Sequence, residues 1–469
     1  MPQLLRQNVV PSQNHRCGLP GRFLAAFCLL SAHYFWHKEP PNLVRPLQER
    51  RSRLWQHLHP LLKKYVPDCP KPIQNGSPGL PRFDAIHETP RQNLLTNVDE
   101  ILQPMQSAHD GVVQAIQNFD IGDAFVPGTV GIVSSAGGTY LPTFVVSLSL
   151  LRRTGSTLPV ELFMKDRTEY EGHICEVVLP QLGAKCLVLS EILADGNETK
   201  SIQPIEGFQI KSFAMLFSSF EKFLWLDADC VPLHDPMALL QSEPFPSTGL
   251  VTWPATKAGV ILVSKSTHTR SLLLAAYYNY YGPNYYYSLL GQGAPGAGDK
   301  DTFLHAATAL NQSFYAVGET VVDLGNLKPG NPQAAINAGY VQADPIQDYD
   351  LTSQGKWRVR DPSVAKPPRV YFIHAGAPEF NPGKELLGPK LQGFDGSPTR
   401  LWTYPPEAMR RLGFDAERIF WEETMSVACT MESAFETWNS KSGLCDTVRA
   451  HWKAVFENPD IKVPRLTDS

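Results

Sequence analysis

Residues Glu221 to Pro236 read EKFLWLDADCVPLHDP, an apolar run from Phe223 to Leu226 that passes directly into Asp227 and Asp229 and then into a proline-marked turn. A short apolar run bounded by turn residues predicts a buried strand. The acid pair then stands at the strand's carboxyl end, where open α/β sheets bind their ligands. Two carboxylates buried beside Trp225 would repel each other unless a cation joins them. Hard oxygen ligands of this kind suit Mg²⁺ or Mn²⁺. The competing reading is an aspartate that caps the next turn.

The surrounding sequence predicts the sheet around that strand. Thr129 to Gly155 (TVGIVSSAGGTYLPTFVVSLSLLRRTG) reads as a strand, a small-residue turn and a helix that begin a regular domain near Gly128. Ser134, Ala136 and Gly137 in that turn leave room for backbone N–H groups to approach a ligand, although the turn matches neither the dinucleotide fingerprint nor the P-loop. A strand over 159–164, a helix near 171–182, a strand over 184–189 and a helix over 208–220 lead into the acid-bearing strand. Two more strands follow at 249–254 and 259–265, and then a helix. Alternation of this kind predicts a mostly parallel sheet with helices on both faces.

Asp-x-Asp occurs three times, at Asp227/Asp229, Asp299/Asp301 and Asp348/Asp350. Only the first follows an apolar strand directly, and the third is expected in an exposed acidic loop. His374 lies just past the apolar run Val370 to Ile373, in the same strand-end position as the aspartates. It is a candidate third metal ligand, or a satisfied structural histidine.

Among 469 residues the formal net charge is −4, without the basic excess of a nucleic-acid binder, so no nucleic-acid partner is expected. Eight cysteines show no zinc-ligand spacing. In an oxidising compartment Cys175 could pair with Cys186 and Cys429 with Cys445; buried free thiols are the alternative. Phe23 to Trp36 (FLAAFCLLSAHYFW), preceded by Arg6, Arg16 and Arg22, has the charge order of a signal anchor. Its shortness also allows a signal-peptide core or a buried amphipathic helix. Residues 42–68 look helical, 69–82 are rich in proline and glycine, and 93–119 carry apolar residues at the spacing of a helix pair. Asn197 and Asn311 lie in glycosylation triplets.

Three stretches together, FQIKSFAMLFSSFEKFLWLDADCVPLHDP, YYNYYGPNYYYSLLGQGAPGAGDKDTF and YFIHAGAPEFNP, resemble the fungal Golgi α-mannosyltransferases of glycosyltransferase family 71. The resemblance spans roughly 131–382. It implies a GT-A nucleotide-sugar fold in a type II membrane protein of the Golgi, using GDP-mannose to extend mannose-containing glycans with retention of configuration. It implies Mn²⁺, or Mg²⁺, on Asp227 and Asp229, and the strand-end position of His374 makes that residue the candidate third ligand. Lys211 falls where related enzymes direct a basic residue at the donor, with a solvated helix lysine as the competing reading; Asp227 and the turn residues Ser134, Ala136 and Gly137 complete the expected donor site. Asp299, Lys300 and Asp301 fall on the acidic motif near the transferred sugar, with capping of the next helix as the competing reading. The tyrosines from 277 to 287 could stack on sugar faces, although at helical spacing several must be core.

The implied division is a cytoplasmic tail 1–21, an anchor 22–36, a stem with helices 37–127, a catalytic domain 128–420 and a helical segment 421–469. The chain departs from the family between the strands at 249–254 and 259–265. Pro254 joins almost directly to ATKAG where an aromatic and polar segment is usual, which implies a reduced acceptor side. Lys257, Val260 and Glu379 depart as well. A catalytically impaired subunit of a Golgi complex is the rival expectation. A phosphohydrolase with Asp227 as nucleophile is disfavoured because Val231 stands where serine or threonine is expected.

Overall fold

The computed structural model describes residues 41–76, 94–122, 124–194, 204–253, 259–291, 298–299, 301–328, 331–376, 380–384, 391–392, 396–459 and 461. The expected anchor, Asn197, Lys300, Lys257, Glu379 and the 254–258 connection lie outside them. The chain divides into a unit Met1–Leu47, described only where a helix begins, and a unit Gln48–Ser469 that holds everything below. Among the described residues no helix is long and apolar enough to cross a membrane.

In chain order, short turns aside, the elements are α1 (Pro41–Lys64), α2 (Val98–Gln117), β1 (Val126–Ser135), α3 (Leu141–Arg153), β2 (Val160–Met164) and β3 (Ala184–Val188). Next come α4 (Gln209–Phe217), β4 (Phe220–Leu226), β5 (Cys230–Pro232), β6 (Leu250–Thr252), β7 (Val260–Ser264), α5 (Lys265–Tyr280), α6 (Thr302–Ala309) and β8 (Tyr315–Ala316). Last are β9 (Val322–Lys328), β10 (Asn331–Ala343), α7 (Pro345–Ser353), β11 (Val370–His374), α8 (Pro406–Leu412), α9 (Ala416–Met431) and α10 (Leu444–Phe456).

The main sheet has seven strands in the order β3-β2-β1-β4-β7-β6-β8. β3, β2, β1 and β4 are mutually parallel, whereas β7 runs antiparallel to β4 and to β6. This is the α/β, mostly parallel architecture implied by the GT-A resemblance. Successive side chains on a strand face opposite ways, and the core divides accordingly. Ile132, Leu162, Leu224 and Leu262 enter one apolar cluster, shared with α3, α9 and α10. Val133, Phe163, Phe223, Trp225 and Ile261 enter the other, shared with α1, α2, α4 and α5.

A second sheet, β5-β11-β10-β9, is wholly antiparallel. It places β11 against the short strand that follows the acid pair, with His374 opposite Cys230. The sequence predicts β11 as one more strand and gives no sign of this separate sheet, because its pairing partners are distant in the chain.

Several local expectations are corrected. One helix, α2, replaces the expected pair over 93–119, with Pro104 accommodated inside it. The helix expected at 171–182 forms as a π-bulged stretch Ile174–Val178 running into Leu179–Gln181. The third acid triplet lies in α7 rather than in an exposed loop, and Asp348 is buried. The tyrosine run, by contrast, is core as its helical spacing required of several rings: Tyr277, Tyr278, Tyr280, Tyr281, Tyr286 and Tyr287 are all buried. Tyr277 and Tyr281 donate their hydroxyls to the carbonyls of Tyr65 and Leu62 at 2.7 and 2.6 Å. A helix leaves its last carbonyls without intrahelical partners, and these rings supply partners at the end of α1.

Both suggested cysteine pairs are disulfides, Cys175–Cys186 and Cys429–Cys445. Cys69 and Cys230 are free.

Candidate active site

The strand order reverses between β1 and β4, since β1, β2 and β3 extend one way and β4 the other. A crevice at such a switch point is where α/β sheets take ligands. The backbone fixes the acid turn there. Asp227 N–H donates to Gly259 O at 2.8 Å, Cys230 N–H to Asp227 O at 3.0 Å, and Ala375 N–H to Asp229 O at 2.9 Å. Gly259 must be small, because a Cβ would lie 2.4 Å from His374 Nδ1 and 2.6 Å from Cys230 Sγ.

The two acids, expected to be buried beside Trp225, are both partly exposed and have separate partners. Asp227 Oδ1 accepts from the Trp225 indole N–H at 2.7 Å and lies 3.1 Å from Lys211 Nζ. Asp229 Oδ1 lies 3.1 Å from His374 Nε2. The fully buried carboxylate of the region is Asp299, whose Oδ2 stands 3.0 Å from Lys211 Nζ as an ion pair lacking hydrogen-bond alignment. Lys211 therefore bridges the first and second acid triplets from beneath. Burial pushes its ammonium down, and the charges of Asp227 and Asp299 outweigh that and raise it. For Asp299 burial raises the carboxyl, Lys211 opposes, and nearby Asp227 adds to the rise.

The remaining sequence-predicted residues distribute as follows. Ser134 is buried and donates its hydroxyl to Leu226 O at 2.6 Å, tying β1 to β4. Ala136 is buried, and Gly137 packs against Glu169. Asp301 precedes α6 but makes no side-chain cap bond; the Thr302 amide and hydroxyl instead donate to Asp299 O at 3.0 and 2.6 Å.

Asp229, Cys230 and His374 offer ligand atoms within 4.8 Å of one another. The structure brings together Asp229 and His374 from the expected metal set, adds Cys230, and leaves Asp227 on the Lys211 side. A carboxylate oxygen beside an imidazole nitrogen is a donor set that fits Mn²⁺. His374 Nδ1 is buried without a hydrogen-bond partner, so Nε2 is the nitrogen turned to a neighbouring carboxylate. Sequence reasoning missed the Trp225 indole as a partner of Asp227, although residues two apart on a strand share a face. It also missed Cys230, set aside with the other cysteines, and Glu169, which nothing in its local sequence marks. Burial, followed by the charges of Asp229 and Asp227, pushes the Cys230 thiol well up.

The switch point thus carries a carboxylate–imidazole pair on one side and a buried lysine between two acids on the other, a charged site suited to an anionic ligand and a cation. The mannosyltransferase family model Mannosyl_trans3 matches residues 129–258 and 254–347, two stretches that meet at the short connection. Alpha-1,2-mannosyltransferase MNN21 of Candida albicans is 31% identical over 448 residues, covering 77% of this chain and 67% of the relative. Alpha-1,2-mannosyltransferase MNN2 of Saccharomyces cerevisiae is 30% identical over 416 residues, covering 69% and 68%. The match to Candida albicans MNN24 spans 39% of that relative. The chain belongs to the fungal α-mannosyltransferase family. Among solved structures, the glycosyltransferase GlyE of Streptococcus pneumoniae aligns with a TM-score of 0.34 at 13% identity, covering 67% of this chain and 65% of that one.

Proposed function

We propose that this chain is a metal-dependent α-1,2-mannosyltransferase that transfers mannose from GDP-mannose to a mannose hydroxyl of a glycoprotein glycan, with retention of configuration, on the lumenal side of the Golgi membrane. The observation that carries the reading is the Asp229–His374 pair at 3.1 Å beside Asp227, at the switch point of a family member's sheet. The linkage follows the relatives' names, which specify alpha-1,2 transfer. The Golgi location, with an N-terminal anchor, rests on the family resemblance and on the Arg-flanked apolar run.

Asp229 and His374 would hold Mn²⁺ or Mg²⁺, with Asp227 beside them as a further carboxylate, and the ion would supply positive charge for the diphosphate leaving group. Lys211 fixes the Asp227 carboxylate from below and offsets the charge that Asp299 adds to the crevice. The acceptor hydroxyl forms the new C–O bond at the anomeric carbon as the bond to diphosphate breaks, and its proton leaves with the departing phosphate oxygen. Oriented donors and charges stabilise such a transition state more than they stabilise the ground state. Incubation with GDP-mannose, Mn²⁺ and a mannobiose acceptor tests the reading. An α-1,2-linked trisaccharide is expected by NMR, and tight Mn²⁺-dependent binding of UDP in place of GDP would overturn it.

A second reading, a donor-binding protein with impaired transfer, is favoured by the break of the family match at 254–258. Transfer requires an acceptor hydroxyl held about 3–3.5 Å from the anomeric carbon, and a reduced acceptor wall forfeits that positioning. Donor binding without trisaccharide formation supports this second reading. Sequencing the transcript across codons 250–262 distinguishes a short native connection from a longer one.

A further inference from the structure

The Gly137 turn at the end of β1 does not face open solvent on its β2 side. A Cβ on Gly137 would lie 2.4 Å from Glu169 Oε2, so the Glu169 carboxylate rests directly on the turn. Ser135 pairs with Phe163, and Ala136 N–H donates to Phe163 O at 3.3 Å, so the loop after β2 is carried against the turn after β1. Glu169 Oε2 accepts the Lys165 backbone N–H at 2.8 Å, which fixes the carboxylate's orientation. No hydrogen bond among the described residues uses Oε1. The other charges of the loop are committed elsewhere. Lys165 Nζ lies 3.4 Å from Asp166, Asp166 accepts from Thr168 N–H at 2.9 Å, and Arg167 Nε donates to Glu191 at 2.8 Å.

We infer that Glu169 reads the guanine base of the donor, accepting from the base N1–H and exocyclic N2–H. This rests on the GDP-mannose reading above. A diphosphate that met the cation held by Asp229 and His374 at the end of β4 would send its nucleoside to one side. The β7 and β6 side carries the connection where the acceptor segment belongs, which leaves the β1 and β2 side. From β4 across β1 to β2 is two strand spacings, about 10 Å, so ribose lies over the Gly137 turn and the base over the end of β2. An ionised carboxylate is acceptor-only and can take two parallel N–H donors. Guanine offers that pair on its Watson–Crick edge; uracil and adenine do not.

Calorimetry on the full chain with Mn²⁺ compares GDP, inosine diphosphate, which lacks the N2 amine, and UDP. The wild type should prefer GDP over inosine diphosphate by on the order of tenfold, the worth of a hydrogen bond to a charged group. Glu169→Gln keeps an acceptor for Lys165 N–H and should bring that ratio close to one, mainly by weakening GDP. Glu169→Asp withdraws the carboxylate by one methylene and should narrow the ratio in the same way, while Asp166→Asn should leave it unchanged. A ratio unchanged in both Glu169 variants overturns the assignment. If both nucleotides then weaken together, Glu169 contacts ribose; if neither weakens, it only shapes the turn. A wild type that binds UDP better than GDP overturns the donor reading and the guanine role with it.

Discussion

Asp227 at the end of β4 and Asp348 in α7 each open an Asp-x-Asp triplet, yet their carboxylates are satisfied by different kinds of donor. Asp348 is buried and accepts from the Tyr315 hydroxyl at 2.7 Å and from the Gly318 and Glu319 amides at 2.6 and 2.9 Å. Those donors belong to the fold, and the Tyr315 hydroxyl also lies 3.0 Å from Thr352 Oγ1, so the acid is a joint between α7 and the chain around β8. Asp227 takes one indole N–H and one lysine, stays partly exposed, and stands where the sheet opens. A carboxylate saturated by backbone amides has little left for a ligand; one held at its edge by side chains retains lone pairs that face the crevice.

The largest expected effect separates the two acids outright. Asp227→Ala or Asp229→Ala should remove detectable Mn²⁺-dependent GDP binding by calorimetry, while near-UV circular dichroism shows a folded domain. Retained binding in both would place the cation elsewhere. Asp348→Ala should do the reverse, costing about 4 kcal/mol in urea unfolding because buried amides lose their acceptor, with nucleotide affinity unchanged in the folded fraction. Loss of affinity at full stability would erase the contrast.

Lys211→Met tests the bridge between the first two triplets. It leaves Asp227 and Asp299 facing each other without their shared cation, and a loss of about 3–5 kcal/mol is expected, as for a buried pair stripped of one partner. His374→Ala should weaken GDP binding less than either aspartate variant does, and no change at all would return it to a purely structural role.

The smallest effect lies far from the crevice and depends on pH. Burial pushes the His451 ring, packed 4.5 Å from Trp421, down to about 4. The unfolded chain binds that proton more readily, so this contribution is intact above the ordinary histidine range near 6.5 and is lost as pH falls toward 4. The loss should reach about 3 kcal/mol. His451→Phe should flatten the stability profile between pH 6.5 and 4, and a profile identical to wild type would show that another group controls it.

Much of the sheet was legible because its signals are local. The run ending at Leu226, the small-residue turn at 134–138 and the alternation of elements gave β1, β2, β3, β4, β6 and β7 to within a few residues. The family stretches drew Asp227, Lys211, Asp299 and His374 into one reading. The small antiparallel sheet was not legible, since β11 pairs with β5 and β10 across intervening elements, and only β9 and β10 are neighbours in the chain. The tyrosine run was legible as partly core from its helical spacing, but that spacing is the same whether a ring faces a sugar or the carbonyls of α1, so which rings are buried was not.

The sequence by itself determined which residues sit at strand ends, because apolar runs and turn residues are set by nearest neighbours along the chain. It also supplied the candidate pairs for both disulfides. Only the tertiary structure decided which acids meet which partners. Lys211 lies beneath Asp227 and Asp299, Asp229 beside His374, Glu169 against Gly137, and Asp348 out of reach of any ligand behind its own amides. A carboxylate's role follows from the donors and charges within a few ångströms of it, and these come from segments that meet only when the sheet assembles.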